Sequence, residues 1–378
     1  MKKIVFVVST PYTAKAFLEN HFEKLSQFYE IHLVANLNEK ELSNYSHPKL
    51  ASVQHIQIER KITIVNDVKA LWKTTKYFKK NQFDLVICFT PKAGLIGITA
   101  SWLAGIKNRI HFFTGQVWHT KKGLFKVFLK LLDKIVVAFS TKIIVDGKPQ
   151  QDYLIANKII TQHNSITLGK GTISGIDVTK FSPKLDIRLQ QREGLGYLEA
   201  DFVFLFLGRL NKDKGILDLV KAFGKLQDKY NDVKLLLVGP DEEEIESKVK
   251  ELGYSLDSIR FYGNTNEPET IFQVADVFCL PSHREAFGLS IIEGSACGLP
   301  IICSDTYGLN DSIVNEVTGI RHITHDSESI FKAMETLYSN EDKRTSFGKN
   351  GRIYVLENFS KEAITSLWVT YFQSILNK

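Results

Sequence analysis

The chain has 378 residues, 44% of them hydrophobic and 24% charged, with nine prolines; this length suits two domains with separate cores, and this composition excludes a disordered or fibrous chain. Its net charge of +6 conceals a division, because residues 1–190 carry 28 Lys and Arg against 13 Asp and Glu, whereas residues 191–378 carry 20 against 29. A basic first half and an acidic second half suit different partners, and the basic half contains no recognised nucleic-acid module, which argues against a nucleic-acid partner.

At the N-terminus, MKKIVFVVSTPYT has a basic start but an apolar run only from Ile4 to Val8, which reads as a first strand and is too short for a signal-peptide core. Further strands are expected at Ile31 to Ala35, Leu85 to Phe89, Ile110 to Phe113 and Ile143 to Val145, with helices at Ala16 to Phe28, Val65 to Lys79 and Leu124 to Phe139. The second half repeats the rhythm. Strands are expected at Val203 to Leu207, Leu235 to Val238, Ile259 to Tyr262, Val277 to Leu280 and Ile301 to Cys303, with helices near 215–230, 242–252, 289–296 and 327–338. Such alternation predicts two α/β domains with parallel sheets. The break falls between Gly175 and Glu199, where Gly, Pro and mixed charge replace a core pattern. The expected domains are 1–185 and 186–355, with 356–378 a terminal helix able to pack back on the first. Ligands bind beyond the carboxyl ends of such strands, so two domains facing across a cleft would each hold one substrate.

Cys88, Cys279, Cys297 and Cys303 lie in apolar or mixed segments with no Cys-x-x-Cys pair. Core positions in a reduced, cytoplasmic protein are the expectation, rather than a disulfide framework or zinc ribbon. No run reaches the length needed to cross a bilayer, which leaves peripheral attachment to one membrane face open.

In FVFLFLGRLNKDKG, Gly208 and Arg209 follow an apolar strand, and Lys214 and Gly215 precede a helix. Two cations on a rim that a glycine opens to close backbone approach suit a diphosphate, with solvated cations on a turn as the alternative. In VFCLPSHREAFGLSIIEGSACGLPIICSD, Glu285 lies in the loop after a strand and Glu293 about one turn inside the following helix. The N–H groups of Gly288, Leu289 and Ser290 can meet a phosphate at that helix start. Two carboxylates cannot share that anion, and suit sugar or ribose hydroxyls beside it. The alternatives are a helix-dipole charge for Glu285 and a surface residue for Glu293.

GRLNKDKG, LLLVGP, EAFGLSIIE and SGIDVTKFSP occur here in the order in which similar segments occur in the large family of retaining glycosyltransferases called family 4. The chain resembles that family over about 174–303. The resemblance implies the GT-B fold, two Rossmann-like domains facing across a cleft, with an acceptor in the first and a nucleotide sugar, UDP-sugar favoured, in the second. It implies that Arg209 and Lys214 bind the diphosphate, that Glu285 orients the transferred sugar, and that Glu293 holds the ribose. It also places Gly288 to Ser290, beside Phe287, at the phosphate, and Tyr262, Gly263 and Asn264 beside the base.

In the first half, FTPKAG followed by FTGQVWHTKKG resembles bacterial enzymes that extend sugars on polyprenyl-diphosphate carriers in surface-polysaccharide assembly. Many relatives have a His-Gly step where this chain has Thr114-Gly115, so a histidine role does not carry over to Thr114. His111 suits the core or its rim. His119, Gln116 and the rim of Lys92, Gly94, Lys121 and Lys122 are candidates for acceptor or cleft contacts, with exposed turns as the alternative. In KKGLFKVFLKLLDKIVVAF, lysines recur every four residues opposite a greasy face, which suits either burial under the sheet or an anionic membrane surface.

The expected reaction moves a hexosyl or N-acetylhexosaminyl group to a hydroxyl, with Arg209 and Lys214 stabilising charge on the leaving diphosphate. By resemblance it retains anomeric configuration through same-face attack. No Asp-x-Asp occurs, so neither a metal nor a cofactor is required. The alternatives are a nucleotide-sugar epimerase with no separate acceptor, a carbohydrate phosphorylase, and a noncatalytic carbohydrate-binding protein.

Overall fold

A computed structural model describes residues 1–37, 47–59, 62–254 and 256–377. The chain forms two compact units, Met1–Gly175 together with Lys361–Lys378, and Ile176–Ser360.

The first unit has a parallel sheet of β1 (Lys3–Val7), β2 (Glu30–Ala35), β3 (Ser52–His55), β4 (Leu85–Phe89), β5 (Asn108–Phe113), β6 (Lys142–Val145) and β7 (Ser165–Thr167). Their order is β3-β2-β1-β4-β5-β6-β7, so the winding reverses between β1 and β4. Every residue of β4, LVICF, is buried, as a sheet covered on both faces requires. The chain adds α1 (Pro11–Phe17), α2 (Glu19–Leu25), α3 (Ile64–Asn81), α4 (Pro91–Leu103), α5 (Gly123–Phe139) and α6 (Lys148–Ala156). Helix α4 was not among the sequence expectations, because PKAGLIGITASWL is apolar all round and has no helical periodicity. Its glycines permit close approach to the sheet: a Cβ at Gly97 would lie 2.5 Å from Cys88 Sγ, and one at Gly94 2.4 Å from the His111 ring.

The second unit begins with α7 (Leu185–Gly194) and continues through β8 (Phe202–Leu207), α8 (Ile216–Gln227), β9 (Val233–Val238), α9 (Ile245–Glu251), β10 (Ile259–Gly263), α10 (Pro268–Ile271), β11 (Val277–Leu280), α11 (Leu289–Ala296), β12 (Ile301–Ser304), β13 (Gly319–His322), α12 (Ser327–Ser339) and α13 (Glu341–Asn358). Its parallel sheet runs β10-β9-β8-β11-β12-β13, reversing between β8 and β11. Helix α7 lies where the sequence shows no core pattern, because cations hold it rather than an apolar stripe. Arg188 donates to the Gln273 and Ala275 carbonyls at 2.9 and 2.7 Å and to Asp276 at 2.7 Å, and Arg192 donates to the Val274 carbonyl at 3.0 Å. All four cysteines are buried and unbridged.

A last helix, α14 (Lys361–Leu376), belongs to the first unit. Trp368, fully buried, stacks on Phe89 and Phe112 at 5.9 and 5.8 Å and lies 4.4 Å from the His21 ring, sealing one face of that sheet.

Helix α5 resolves one open expectation. Burial of its greasy face under the sheet is not what the fold shows: Val136 alone of its described residues is fully buried, while Leu124, Val127 and Leu131 are 88, 63 and 54% exposed. The lysines do not form a clean stripe either. Lys126 and Lys130 reach over the Trp118 ring at 5.9 and 4.7 Å, and Lys130 donates to Asn157 at 2.7 Å. Among the described residues, no helix is long and apolar enough to cross a membrane.

Candidate active site

In the second unit, the loops after β8 and β11 leave the sheet at its topological reversal, the position at which open α/β sheets hold ligands. Gly215, in a left-handed conformation at φ 68°, joins them: a Cβ there would lie 2.1 Å from the Pro281 carbonyl oxygen. The His283 N–H also donates to the Asp213 carbonyl at 2.8 Å. The two loops thus pack backbone to backbone, and Lys214 meets Glu285 in an ion pair whose side chains are only 16 and 14% exposed. Ser282 Oγ donates to the same Glu285 oxygen at 3.0 Å. Gly215→Ala is expected to destabilise the protein by about 1 to 3 kcal/mol in urea unfolding, through the steric conflict and the left-handed backbone together.

Arg209, on the same edge, is 48% exposed and lies 3.0 Å from Glu242, which also accepts from Asn211 at 2.9 Å. Arg209 and Lys214 therefore both have protein carboxylates as partners, which an incoming diphosphate would have to displace. Gly208 sits beneath them, its carbonyl oxygen 1.9 Å from where a Cβ at Gly239 would stand. Tyr262, Gly263 and Asn264 are exposed at the end of β10 on the same edge.

Gly288 caps α11 at φ 74°. The first-turn N–H groups of Leu289 and Ser290 follow, unclaimed by the helix ladder in the way of every helix start. Phe287 points into the core, buried and edge-on to Phe359 at 5.2 Å, so it anchors this turn. Glu293 lies one turn inside α11, and its carboxyl has no hydrogen-bond partner among the described residues. Burial lifts it to about 8, with Glu269 adding to the rise and Lys180 opposing it.

In the first unit, a cavity of about 520 Å³ lies between the N-terminal part of α3 and α5, lined by Lys92, Thr114, Gly115, Gln116 and Lys121 among many apolar groups. Lys92 is ion-paired with Asp67 at 2.7 Å. Gln116 is buried and donates to the Thr114 carbonyl at 2.8 Å. Three expected residues, Gly94, His119 and Lys122, do not line this cavity. Gly94 serves the packing of α4 on β5, and His119 is engaged with the Tyr153 hydroxyl at 2.7 Å.

His111 does line it, buried on β5, with desolvation pushing its imidazole down to about 3 against a bond with the Cys88 backbone, so the ring is neutral. Asp133 is a lining residue that sequence reasoning missed. It accepts from the Trp118 indole at 2.7 Å, and burial raises it to about 6 despite that bond. The available signal was a lone acid within the lysine-rich helix KLLDKI.

Residues 3–147 match the family described as "Glycosyl transferase 4-like" and residues 188–354 the family "Glycosyl transferases group 1". The chain is 31% identical over 339 residues to the capsular polysaccharide biosynthesis glycosyltransferase CapM of Staphylococcus aureus, covering 89% of this chain and 87% of the relative. This chain is a family-4-like glycosyltransferase of the GT-B fold.

This glycosyltransferase is 26% identical over 331 residues to an Escherichia coli enzyme, UDP-Gal:alpha-D-GlcNAc-diphosphoundecaprenol alpha-1,3-galactosyltransferase, covering 84 and 83% of the two chains. Its fold matches sucrose-phosphate synthase from Thermosynechococcus elongatus with a TM-score of 0.83 at 20% identity, covering all of both chains. The Anabaena protein HepE in complex with UDP-glucose aligns with a TM-score of 0.80 at 16% identity, covering 99% of this chain and all of HepE.

Proposed function

We propose that this glycosyltransferase moves a hexosyl or N-acetylhexosaminyl group, with retention, from a UDP-sugar to a hydroxyl of a polyprenyl-diphosphate-linked saccharide in surface-polysaccharide assembly, on the cytoplasmic face of a membrane. The observation that carries the acceptor class is the apolar cavity beside α5. Phe125 and Phe128 of α5 line it and are themselves exposed, Leu124, Val127 and Leu131 stay exposed on the same helix, and Ile64, Val65, Val68 and Trp72 stay exposed on α3, whose Asp67 lines the cavity. A water-soluble acceptor gives no reason for greasy stripes exposed on two helices that contribute to one cavity, whereas a lipid carrier drawn from a bilayer does. The relatives that act in capsule synthesis and on a diphosphoundecaprenol acceptor support the same reading.

On the donor side, Lys214 exchanges Glu285 for the diphosphate and Arg209 exchanges Glu242, which releases Glu285 to accept from sugar hydroxyls. The C1–oxygen bond to the diphosphate breaks, the acceptor oxygen bonds C1, and the acceptor proton passes to the departing phosphate oxygen. Arg209 and Lys214 stabilise the negative charge that develops on that leaving group. Glu293 accepts from the ribose, and Tyr262 to Asn264 flank the base. Two fixed cations neutralise the diphosphate, so the reading requires no metal for transfer.

The test is a matrix of UDP- and GDP-sugars against polyprenyl-diphosphate-linked and soluble saccharides, with chelator present and products read by mass spectrometry. One hexose or N-acetylhexosamine added to the lipid-linked acceptor is the expected product. The double variant Leu124→Asp, Leu131→Asp is expected to lose vesicle association and lipid-acceptor use while keeping UDP binding. Transfer to soluble acceptors alone, with unchanged vesicle binding by the variant, would remove the lipid-carrier reading and leave the transferase itself standing.

A further inference from the structure

Behind the paired donor loops, three side chains from distant parts of the chain converge: Asp218 from the first turn of α8, His283 from the loop after β11, and His325 from the turn after β13. One ligand atom from each lies within 4.8 Å of the other two. His283 Nε2 is 2.8 Å from Asp218 Oδ2, and the two imidazole centroids are 3.6 Å apart. His325 adopts φ 65°, a left-handed backbone that a residue with a Cβ takes only at a cost, and in this conformation its ring lies against His283. Three residues earlier, His322 is buried with no hydrogen bond to its Nε2 among the described residues.

We propose that Asp218, His283 and His325 form a binding site for a zinc-class divalent cation, separate from the diphosphate site and not a participant in transfer. Two imidazoles and one carboxylate are ligands for zinc, cobalt or nickel, whereas magnesium and calcium favour all-oxygen sets. The cation takes the place of the hydrogen bond between His283 Nε2 and Asp218 Oδ2, the neutral His283 ring then binding through Nε2 with its proton carried on Nδ1.

The consequence lies one residue away from the donor chemistry. His283 is held to Asp213 through its backbone, and Gly215 is packed on Pro281, so the same two loops present Lys214 and Glu285. A cation bridging α8, the loop after β11 and the turn after β13 would therefore stiffen the frame of the donor site without touching substrate. This inference stands apart from the identity of the sugar or acceptor.

Metal-stripped full-length protein is dialysed against limiting zinc chloride and assayed by elemental analysis, and in parallel titrated with cobalt chloride by visible absorption. The wild type is expected to take up one zinc per chain and to give the intense visible bands of four-coordinate cobalt. His325→Ala, an exposed position, is expected to lose at least about a hundredfold in zinc affinity, the upper end of what an outer partner of a metal ligand costs. Asp218→Asn provides a second variant, and His163→Ala, an exposed histidine elsewhere, is expected to bind as the wild type does. Zinc is also expected to raise the thermal midpoint of the wild type but not of His325→Ala. Equal uptake by the wild type and both site variants overturns the proposal, as does cobalt that stays weakly coloured and six-coordinate. Complete loss of transfer on chelation, restored by zinc, would overturn its separation from catalysis.

Discussion

Lys214→Ala is expected to lower the rate of glycosyl transfer at saturating donor by about 10²- to 10³-fold, the cost of removing one preorganised group aimed at charge that develops in the transition state. The size of the effect follows from where the cation sits. Lys214 is largely enclosed, fixed by the Gly215 turn against Pro281, and paired with Glu285, so in the proposed reaction its ammonium has only to exchange that carboxylate for the leaving diphosphate. The substitution also leaves Glu285 without its cation, and the folded state should weaken along with the rate. Lys212→Ala, two residues away and exposed, separates the two effects because it removes a charge of the same sign outside the pair. Steady-state rates and urea midpoints on both variants check this. If Lys214→Ala retained more than about a third of the wild-type rate, Lys214 would not be the group that stabilises the leaving group.

The second large effect is a trade between stability and binding at Glu293. Burial raises its carboxyl from 4.5 to about 8, so between those values the folded protein holds a proton that the unfolded chain has released. The Glu293 contribution to stability is therefore greatest below about pH 4.5, declines as pH rises through this window, and levels off above about 8, a total of roughly 3 to 5 kcal/mol. Glu293→Gln resembles the neutral acid at all pH values. It is expected to match the wild type near pH 4.5 and to exceed its stability by that amount at pH 8.5. The proposed role of Glu293 at the ribose calls for the opposite charge state, since only the ionised carboxyl would accept from both ribose hydroxyls. Wild-type affinity for UDP should rise between pH 7 and 9, with proton release on binding. The variant should show a flat profile and bind at pH 8.5 more weakly by about 1.5 to 3 kcal/mol, the worth of a charged hydrogen bond. Urea denaturation and calorimetry across this range read both halves. A variant no more stable than the wild type at pH 8.5 would mean that the carboxyl is not desolvated, and unchanged UDP affinity would remove it from the ribose.

The sequence alone was sufficient for the fold class and the donor-edge motifs, for a local reason. Apolar strands covered on both faces read as continuous runs, and GRLNKDKG and EAFGLSIIE each follow directly on such a run, so their place at the carboxyl edge is fixed by chain continuity. Elements held by other means were not legible. Strands β3 and β7 are short and largely uncovered, α4 is apolar all round, and α7 is held by two arginines on carbonyl oxygens, so none presents a periodic apolar stripe. Pairings between distant residues depended on the tertiary structure. The union of Lys214 with Glu285, the desolvation of Glu293, the seating of Phe287 in the core, and the meeting of Asp218, His283 and His325 all depend on loops more than forty residues apart being packed together. The exposure of the greasy face of α5 belongs with them. Periodicity states that a helix has an apolar face, but only the arrangement of neighbouring elements decides whether protein covers that face, because hydrophobic burial is non-directional and selects no partner by sequence.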